Sequence, residues 1–196
     1  MTYLVLDLET TGLSPTEDKI LEIAWAFTDS AFEIIGTPKA LVIEPDDWQE
    51  TWSRIKSNKF VMDMHEKSGL IDDLTDENFK RVSLDRAWIM LRQDAIKTRN
   101  RGEYVHLAGL SVHFDKAFLD AADFKGLWGG EDRSSLIHHR MLDLSSFKLL
   151  AESAGIDPSD LEVENLNPHR AMSDVIATIG FARNARSFLQ TTGVYA

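Results

Sequence analysis

The sequence contains no cysteine among its 196 residues. This absence excludes disulfide bonds and any site in which thiolates hold a metal. A metal ion would need carboxylate, imidazole, carbonyl or water ligands, and such a set favours hard cations.

Basic residues are also few. The chain has 21 lysines and arginines against 32 acidic residues, and its formal net charge is −11. Tight, sequence-independent binding of long nucleic acid usually relies on a basic surface, so this balance argues against it. The negative charge still allows a small anion to bind through metal ions, because two divalent cations would reverse the local potential where acids cluster.

Long apolar runs are missing too. The N-terminal run over residues 3–6 is short and has no basic flank, and no apolar segment approaches the roughly 18 residues of a membrane span. We therefore expect neither a secretion signal nor a membrane helix, and a soluble cytoplasmic protein. With 43% hydrophobic residues, the chain is long enough for one domain over residues 1–196.

The most informative stretch is residues 7–13, Asp-Leu-Glu-Thr-Thr-Gly-Leu, which continues a run typical of a buried strand. Side chains alternate along a strand, so Asp7 and Glu9 share one face. Ionised carboxylates near the middle of a sheet cost several kcal/mol each unless they are paired, solvated or bound to metal. We interpret them as metal ligands; the alternative is a strand that ends in acidic residues before a turn.

Two further strands are predicted over residues 20–28 and around 40–43, with turns at 29–30 and 36–38. The pattern predicts an antiparallel meander. Glu22 interrupts the first of these apolar runs, and we interpret it as a residue on a solvated face, because lone charges on strands commonly face water.

More acids follow in the second half of the chain. A strand is predicted over residues 104–110, and Ser111 is a suitable N-cap that places Asp115 about one turn into the next helix. Pro168 is suited to the first position of the last helix, so His169 and Asp174 would face one site from its N-terminal end.

These residue types support phosphodiester cleavage. Two divalent ions about 3.5 to 4 Å apart need several carboxylates, and the attacking water needs a base. The candidate ligands and base are Asp7, Glu9, Asp115, Asp174 and His169. An imidazole accepts a proton near neutral pH, so we assign His169 as the general base.

The order of three motifs resembles the DEDD-type 3′-to-5′ exonucleases, in the branch with a histidine base. The motifs are residues 7–13, Asp115 within residues 111–119, and His-x-Ala-x-x-Asp at 169–174. The resemblance implies an α/β, ribonuclease H-like fold. Its mixed five-stranded sheet has three antiparallel N-terminal strands plus two parallel strands, flanked by helices. It also implies two Mg²⁺ or Mn²⁺ ions.

Residues 64–70 and 140–148 resemble segments of the oligoribonuclease family. That resemblance implies a homodimer that removes nucleoside 5′-monophosphates from very short single-stranded RNA, dinucleotides especially. By position, the bases would be wedged by Leu13 and Phe60, and the 5′ phosphate would be held by His65, Ser111, Arg140 and Ser145.

The chain departs from the family at three positions. Phe60, Leu110 and His139 stand where tryptophan, asparagine and tyrosine are usual. Two alternatives stay open: a general single-strand DNA or RNA 3′-to-5′ exonuclease of the proofreading or repair type, and a non-catalytic nucleotide-binding module. We interpret Asp143 as a structural residue, whose carboxylate at most helps to orient Arg140.

Overall fold

The sheet has five strands in the order β3-β2-β1-β4-β5, in a computed structural model that describes residues 1–99, 104–127 and 135–191. The strands are β1 Thr2–Thr10, β2 Ile20–Thr28, β3 Ile34–Val42, β4 Val105–Gly109 and β5 Ile137–Asp143. β1, β2 and β3 pair antiparallel, whereas β4 pairs parallel with β1 and with β5. The predicted mixed sheet is confirmed, and the acidic strand β1 lies at its centre.

Helices cover both faces and one end of this sheet. They are α1 Trp48–Ser57, α2 Lys59–Lys67, α3 Leu70–Thr75, α4 Leu84–Thr98, α5 Val112–Ala121, α6 Leu144–Ser153 and α7 Ala171–Thr191. Short 3₁₀ helices span Phe124–Leu127 and Pro158–Leu161. Within the described ranges, no helix combines the length and apolar character needed to cross a membrane.

One face of the sheet packs on α4 and α5. Leu4, Leu6 and Leu8 of β1 join a buried cluster that includes Leu91 of α4 and Phe118 of α5. Burial of each such side chain contributes about 1.5 to 3 kcal/mol. This core holds one face of β1. Because side chains alternate along a strand, the residues between these leucines point to the opposite face.

The opposite face packs on α7 through small residues. Ala24 and Ala26 of β2 and Ala108 of β4 are buried in one cluster with Ala171 and Val175 of α7. Alanines on both sides allow the helix and the sheet to approach closely. The first turn of α7 is therefore held over the centre of the sheet, on the side that carries Asp7 and Glu9.

The turn predicted at residues 36–38 is wrong, whereas the turn at 29–30 is confirmed. β3 runs through Gly36 and Pro38, and Gly36 has a φ of 75°. β3 is an edge strand, where a proline without an N–H can face away from the sheet. The turn was predicted because glycine and proline are common in turns, but an edge strand also accommodates them.

The predicted start of the last helix is also wrong. α7 begins at Ala171, three residues after Pro168. His169 has a φ of 64°, a left-handed conformation that a helix does not include. His169 therefore lies in the turn before α7, not on its first turn.

Candidate active site

A cleft of about 380 Å³ opens at the end of β1. It is lined by residues of β1, the loop after it, α2, α5 and the start of α7, among them Asp7, Glu9, Leu13, Phe60, Leu110, Asp115, His169 and Asp174. All five residues predicted to be catalytic border this one cleft, although they come from three separate parts of the chain.

Three carboxylates form the centre of the cleft. Asp7 and Glu9 project from β1, and Asp174 comes from the first turn of α7. One oxygen from each lies within 4.8 Å of the others. Hard oxygen ligands converging at this spacing fit a divalent cation such as Mg²⁺, which is held by carboxylates and completed by water or substrate oxygens.

Asp115 is anchored to the same strand. It lies in the first turn of α5, is almost fully buried, and accepts a 3.0 Å hydrogen bond at Oδ1 from the backbone N–H of Leu8. This bond links Asp115 to the segment of β1 that carries Asp7 and Glu9.

His169 and Asp174 are connected directly. The His169 N–H donates to Asp174 Oδ2 at 3.0 Å, and the Asn165 side chain donates to Asp174 Oδ1 at 2.5 Å. Both oxygens of Asp174 are thereby oriented, while the His169 side chain stays exposed. Asn165 could not be predicted from sequence, because its contact with Asp174 depends on how the loop before α7 folds.

Burial raises the pKa of all four carboxyl groups of the cleft. The pKa of Glu9 rises to about 8, through burial and then the charges of Asp174 and Glu22. The pKa of Asp115 rises to about 7 through burial, and the pKa values of Asp7 and Asp174 are raised for the same first reason. Clustered acids of this kind hold protons until a cation compensates their charge.

The raised pKa of Glu9 predicts how stability depends on pH without metal. Below the unfolded value of 4.5 its stabilising contribution is fully present, and it is lost as pH rises through the folded value of about 8. In excess chelator, we expect the free energy of unfolding to fall by about 2 to 4 kcal/mol between pH 4.5 and 8.5. Urea unfolding over this pH range measures it.

Two comparisons isolate the cause. Saturating Mg²⁺ should flatten the decline, because bound cations compensate the carboxylates. Glu9→Gln should make the decline shallower in chelator, because the amide does not titrate, while Asp7, Asp115 and Asp174 continue to contribute. An undiminished slope in Glu9→Gln would show that other groups produce the pH dependence.

Glu22 does not face solvent, so its interpretation as a solvated residue is wrong. It is 1% exposed and pairs across the sheet with Glu9. Its carboxylate accepts hydrogen bonds from Arg170 Nη2 at 2.9 Å and from the N–H of Ala171 at 2.9 Å. β2 is covered on both faces, so a charge within it must be paired.

Leu13 and Phe60 are exposed apolar residues of the cleft lining. Leu13 is 83% exposed and Phe60 is 73% exposed, and both line the cleft. The loop that carries Leu13 is organised by Asp18, whose carboxylate accepts from Thr11 Oγ1 at 2.9 Å and from the Ser14 N–H at 2.9 Å. A Cβ at Gly12 would lie 2.5 Å from that carboxylate, so the loop requires glycine there.

Ser111 and Ser145 lie together, as expected. Their hydroxyl oxygens are 3.0 Å apart, and Ser111 has a φ of 53° with no side-chain cap on α5. Asp143 holds the pair by accepting from the N–H groups of both serines, at 3.1 and 2.9 Å, and contacts His113. Asp143 also caps α6, which agrees with its interpretation as a structural residue.

Arg140 is exposed on the edge strand β5. Its backbone N–H donates to His138 Nδ1 at 3.0 Å, and its carbonyl lies 3.1 Å from His106 Nδ1. In the described part of the chain, no hydrogen bond or ion pair joins the Arg140 side chain to either serine.

His65 lies beneath the cleft and has no exposed surface. Its Nε2 is 3.0 Å from the carbonyl oxygen of Thr10, and its Nδ1 is 3.8 Å from Glu9 Oε2. Burial lowers its pKa. The side chain supports the end of β1 from within the protein, so the geometry does not favour direct contact with a substrate phosphate.

Known proteins with similar sequences are named oligoribonucleases, although no protein-family model matches the chain. The Mycobacterium tuberculosis protein is 31% identical over 96% of this chain and 80% of its own length. The Streptomyces avermitilis protein is 30% identical over 92% and 83%. A Mycobacterium avium relative is 34% identical, but only 61% of its length is matched.

Solved structures with a similar fold are exonuclease I chains. The zinc-bound Escherichia coli exonuclease I complex with single-stranded DNA matches 99% of this chain with a TM-score of 0.69 and 21% identity. The enzyme from Methylocaldum szegediense matches with a TM-score of 0.61 and 18% identity. The chain spans about two fifths of these structures, and the likeness establishes the ribonuclease H-like fold.

Proposed function

Since the chain belongs to the oligoribonuclease family of DEDD exonucleases, we propose that it is a metal-dependent 3′-to-5′ exonuclease acting on very short RNA. The observation that carries this proposal is the convergence of Asp7, Glu9, Asp115, Asp174 and His169 on one cleft. The products are nucleoside 5′-monophosphates.

The donor set of the cleft fits hard divalent cations, and we assign Asp7, Glu9, Asp115 and Asp174 as their ligands. The oxygens of three of these groups already lie within 4.8 Å of one another. Two bound Mg²⁺ or Mn²⁺ ions would supply Lewis acidity and stabilise negative charge on the scissile phosphate. The protein's part is to hold the four carboxylates in place before substrate arrives.

His169 is the general base in this proposal. Its ring is exposed at the cleft and its backbone is tied to Asp174, so it can take a proton from the attacking water at a ring nitrogen. The carboxylates are unsuited to that task while they serve as ligands.

We assign substrate selection to two groups of residues, one that contacts the bases and one that contacts the 5′ phosphate. Leu13 and Phe60 hold the bases at the cleft, because both present exposed apolar surface there. Ser111 and Ser145, with Arg140, bind the 5′ phosphate. His65 supports β1 behind this surface.

We further propose that residues 1–196 form one exonuclease domain that acts as a homodimer in the cytoplasm. Kinship with oligoribonucleases supports the homodimer. Exposed Leu149 and Leu150 on α6 offer apolar surface for such a contact.

A general single-strand exonuclease is the second candidate. It is favoured by the fold shared with exonuclease I and by Phe60 and Leu110 at positions where the family differs. A non-catalytic nucleotide-binding module is disfavoured, because all five catalytic candidates are present and lie together.

Arg140→Ala separates the first two candidates. A charged hydrogen-bonded contact with phosphate contributes about 1.5 to 3 kcal/mol, or about ten- to a hundred-fold in affinity. Only a very short substrate can reach the cleft with its 3′ end and Arg140 with its 5′ phosphate. We expect that factor to be lost for 5′-phosphorylated dinucleotides, with little change for longer strands.

The measurement is KM and kcat on 5′-phosphorylated RNA and DNA of two to seven nucleotides. Arg186→Ala is the matched control, because it removes the same charge from an exposed position of α7. Removal of the 5′ phosphate should mimic Arg140→Ala. Equal losses at every length, or a wild-type preference for long strands, would favour the general exonuclease.

A further inference from the structure

The buried Glu22 and the partly buried Arg170 form a clamp at the start of α7. We propose that this clamp is the positioning device for His169 and Asp174. The inference rests on the proposed function, because it takes His169 as the base and Asp174 as a metal ligand. The inference assigns a role to two residues, Glu22 and Arg170, that would contact neither the attacking water nor the scissile phosphate. Their role is to position the catalytic groups.

The carboxylate of Glu22 is committed to α7. It lies on β2 opposite Glu9, is 1% exposed, and receives the Arg170 guanidinium through Nη2 at 2.9 Å and Nε at 3.2 Å. The Ala171 N–H donates to the same carboxylate at 2.9 Å. The first N–H groups of a helix have no partner within it, so a strand residue here supplies the acceptor that a local N-cap would give.

Arg170 extends the clamp to a third segment. Its Nη2 also lies 2.7 Å from Asp73 Oδ2 of α3. One planar guanidinium therefore joins β2, α3 and the start of α7, a geometry that the single ammonium of lysine does not reproduce.

The clamp lies between the two catalytic groups in sequence. His169 directly precedes Arg170 and holds a φ of 64°, which residues with a side chain seldom adopt. Asp174 follows one turn later, and its N–H donates to the Arg170 carbonyl at 3.1 Å. Any shift of Arg170 and Ala171 would move His169 and Asp174 together relative to Asp7 on β1.

Two variants test the clamp without removing a residue that would contact substrate or metal. Glu22→Gln keeps the shape and an acceptor but loses the charge. Arg170→Lys keeps the charge but loses the planar fork. For both we expect kcat on a 5′-phosphorylated RNA dinucleotide to fall about 10- to 100-fold, the usual scale for residues that orient metal ligands. KM should change less than about threefold, since no substrate contact is removed.

Arg81→Lys is the matched control. Arg81 also binds a glutamate, Glu44, at 2.7 Å and also contacts α3, through the carbonyls of Asp73 and Leu74. It has no contact with residues 169–174 in the described part of the chain. Arg81→Lys should lower the thermal unfolding midpoint as Arg170→Lys does, while leaving kcat at the wild-type value.

A second measurement does not depend on turnover. The His169 amide donates to Asp174, so its hydrogen exchange reports whether that contact is held. We expect exchange to accelerate about tenfold or more in Glu22→Gln and Arg170→Lys, and to stay unchanged in Arg81→Lys.

The outcomes separate this inference from the proposed function. Wild-type kcat and wild-type exchange at His169 in both clamp variants would overturn the clamp and leave the exonuclease intact. Faster exchange at His169 together with a wild-type protein that hydrolyses no oligonucleotide would support the clamp and overturn the function. Equal loss of kcat in Arg81→Lys would reduce the effect to general destabilisation and would also overturn the clamp.

Discussion

Asp7→Asn is expected to abolish hydrolysis and, in chelator at pH 8, to raise the thermal unfolding midpoint. Asp7 is one of three carboxylates at the centre of the cleft, with an oxygen within 4.8 Å of oxygens from Glu9 and Asp174. Loss of a ligand that stabilises charge on the phosphate costs several kcal/mol of transition-state stabilisation, or about 10³-fold or more in rate.

The rise in stability follows from the pKa of Asp7. Burial and then the charge of Asp115 raise this pKa well above the usual range. The contribution of such a group is complete below its unfolded pKa and is lost as pH rises through the folded value. At pH 8 the wild-type protein therefore carries a cost that the neutral asparagine avoids, and without metal the variant should be the more stable protein.

Activity and calorimetry on the same preparation test both effects. Asp63→Asn is the control, because Asp63 is an acid on α2 whose carboxylate contacts Lys59 on the surface. Hydrolysis by Asp7→Asn at a rate near wild type would remove Asp7 from the mechanism. A lower midpoint than wild type in chelator would instead make Asp7 a structural residue.

The local chemistry of β1 was predictable because a strand has a fixed period. Once residues 2–10 form a strand, Asp7 and Glu9 must share a face, and the structure places both at one cleft. Asp115 likewise lies in the first turn of α5, as its spacing from Ser111 predicted. Each of these predictions depends only on neighbours within a few residues.

Glu22 was misread because its meaning depends on distant segments. Polar and apolar residues do not alternate in β2, which is typical of a strand covered on both faces. That pattern already implied that Glu22 needed a buried partner, but Arg170 and Asp73 become neighbours only when α3 and α7 meet over β2.

The turn before α7 could not be predicted from neighbouring residues alone either. Pro168 is a good first residue for a helix, but the clamp on Arg170 and Ala171 sets the helix start, and His169 adopts a left-handed backbone. Tertiary contacts therefore displaced the predicted boundary by three residues and placed the proposed base outside the helix.

His169→Ala is expected to lower kcat about 10² to 10⁴-fold, the scale of general-base catalysis. The exposed ring borders the cleft, and His169 contacts Asp174 through its backbone N–H. The substitution should therefore leave the carboxylate cluster in place. Mn²⁺ binding measured by calorimetry should be close to wild type.

The shape of the pH-rate profile identifies the role of the ring. A general base makes kcat rise with pH as it loses its proton, and the rising limb of the wild-type profile should disappear in His169→Ala. Imidazole added to the solution should restore part of the rate, because a free base can enter the space left by the ring and take the proton from water.

Asp174→Asn is the matched comparison for that rescue. It disturbs the residue bonded to His169 but leaves the imidazole in place, so added imidazole should restore nothing. Rescue of both variants would point to a nonspecific effect of the buffer base. An unchanged rate limb in His169→Ala would mean that another group accepts the proton, and His169 would then serve only to orient Asp174 through its backbone N–H.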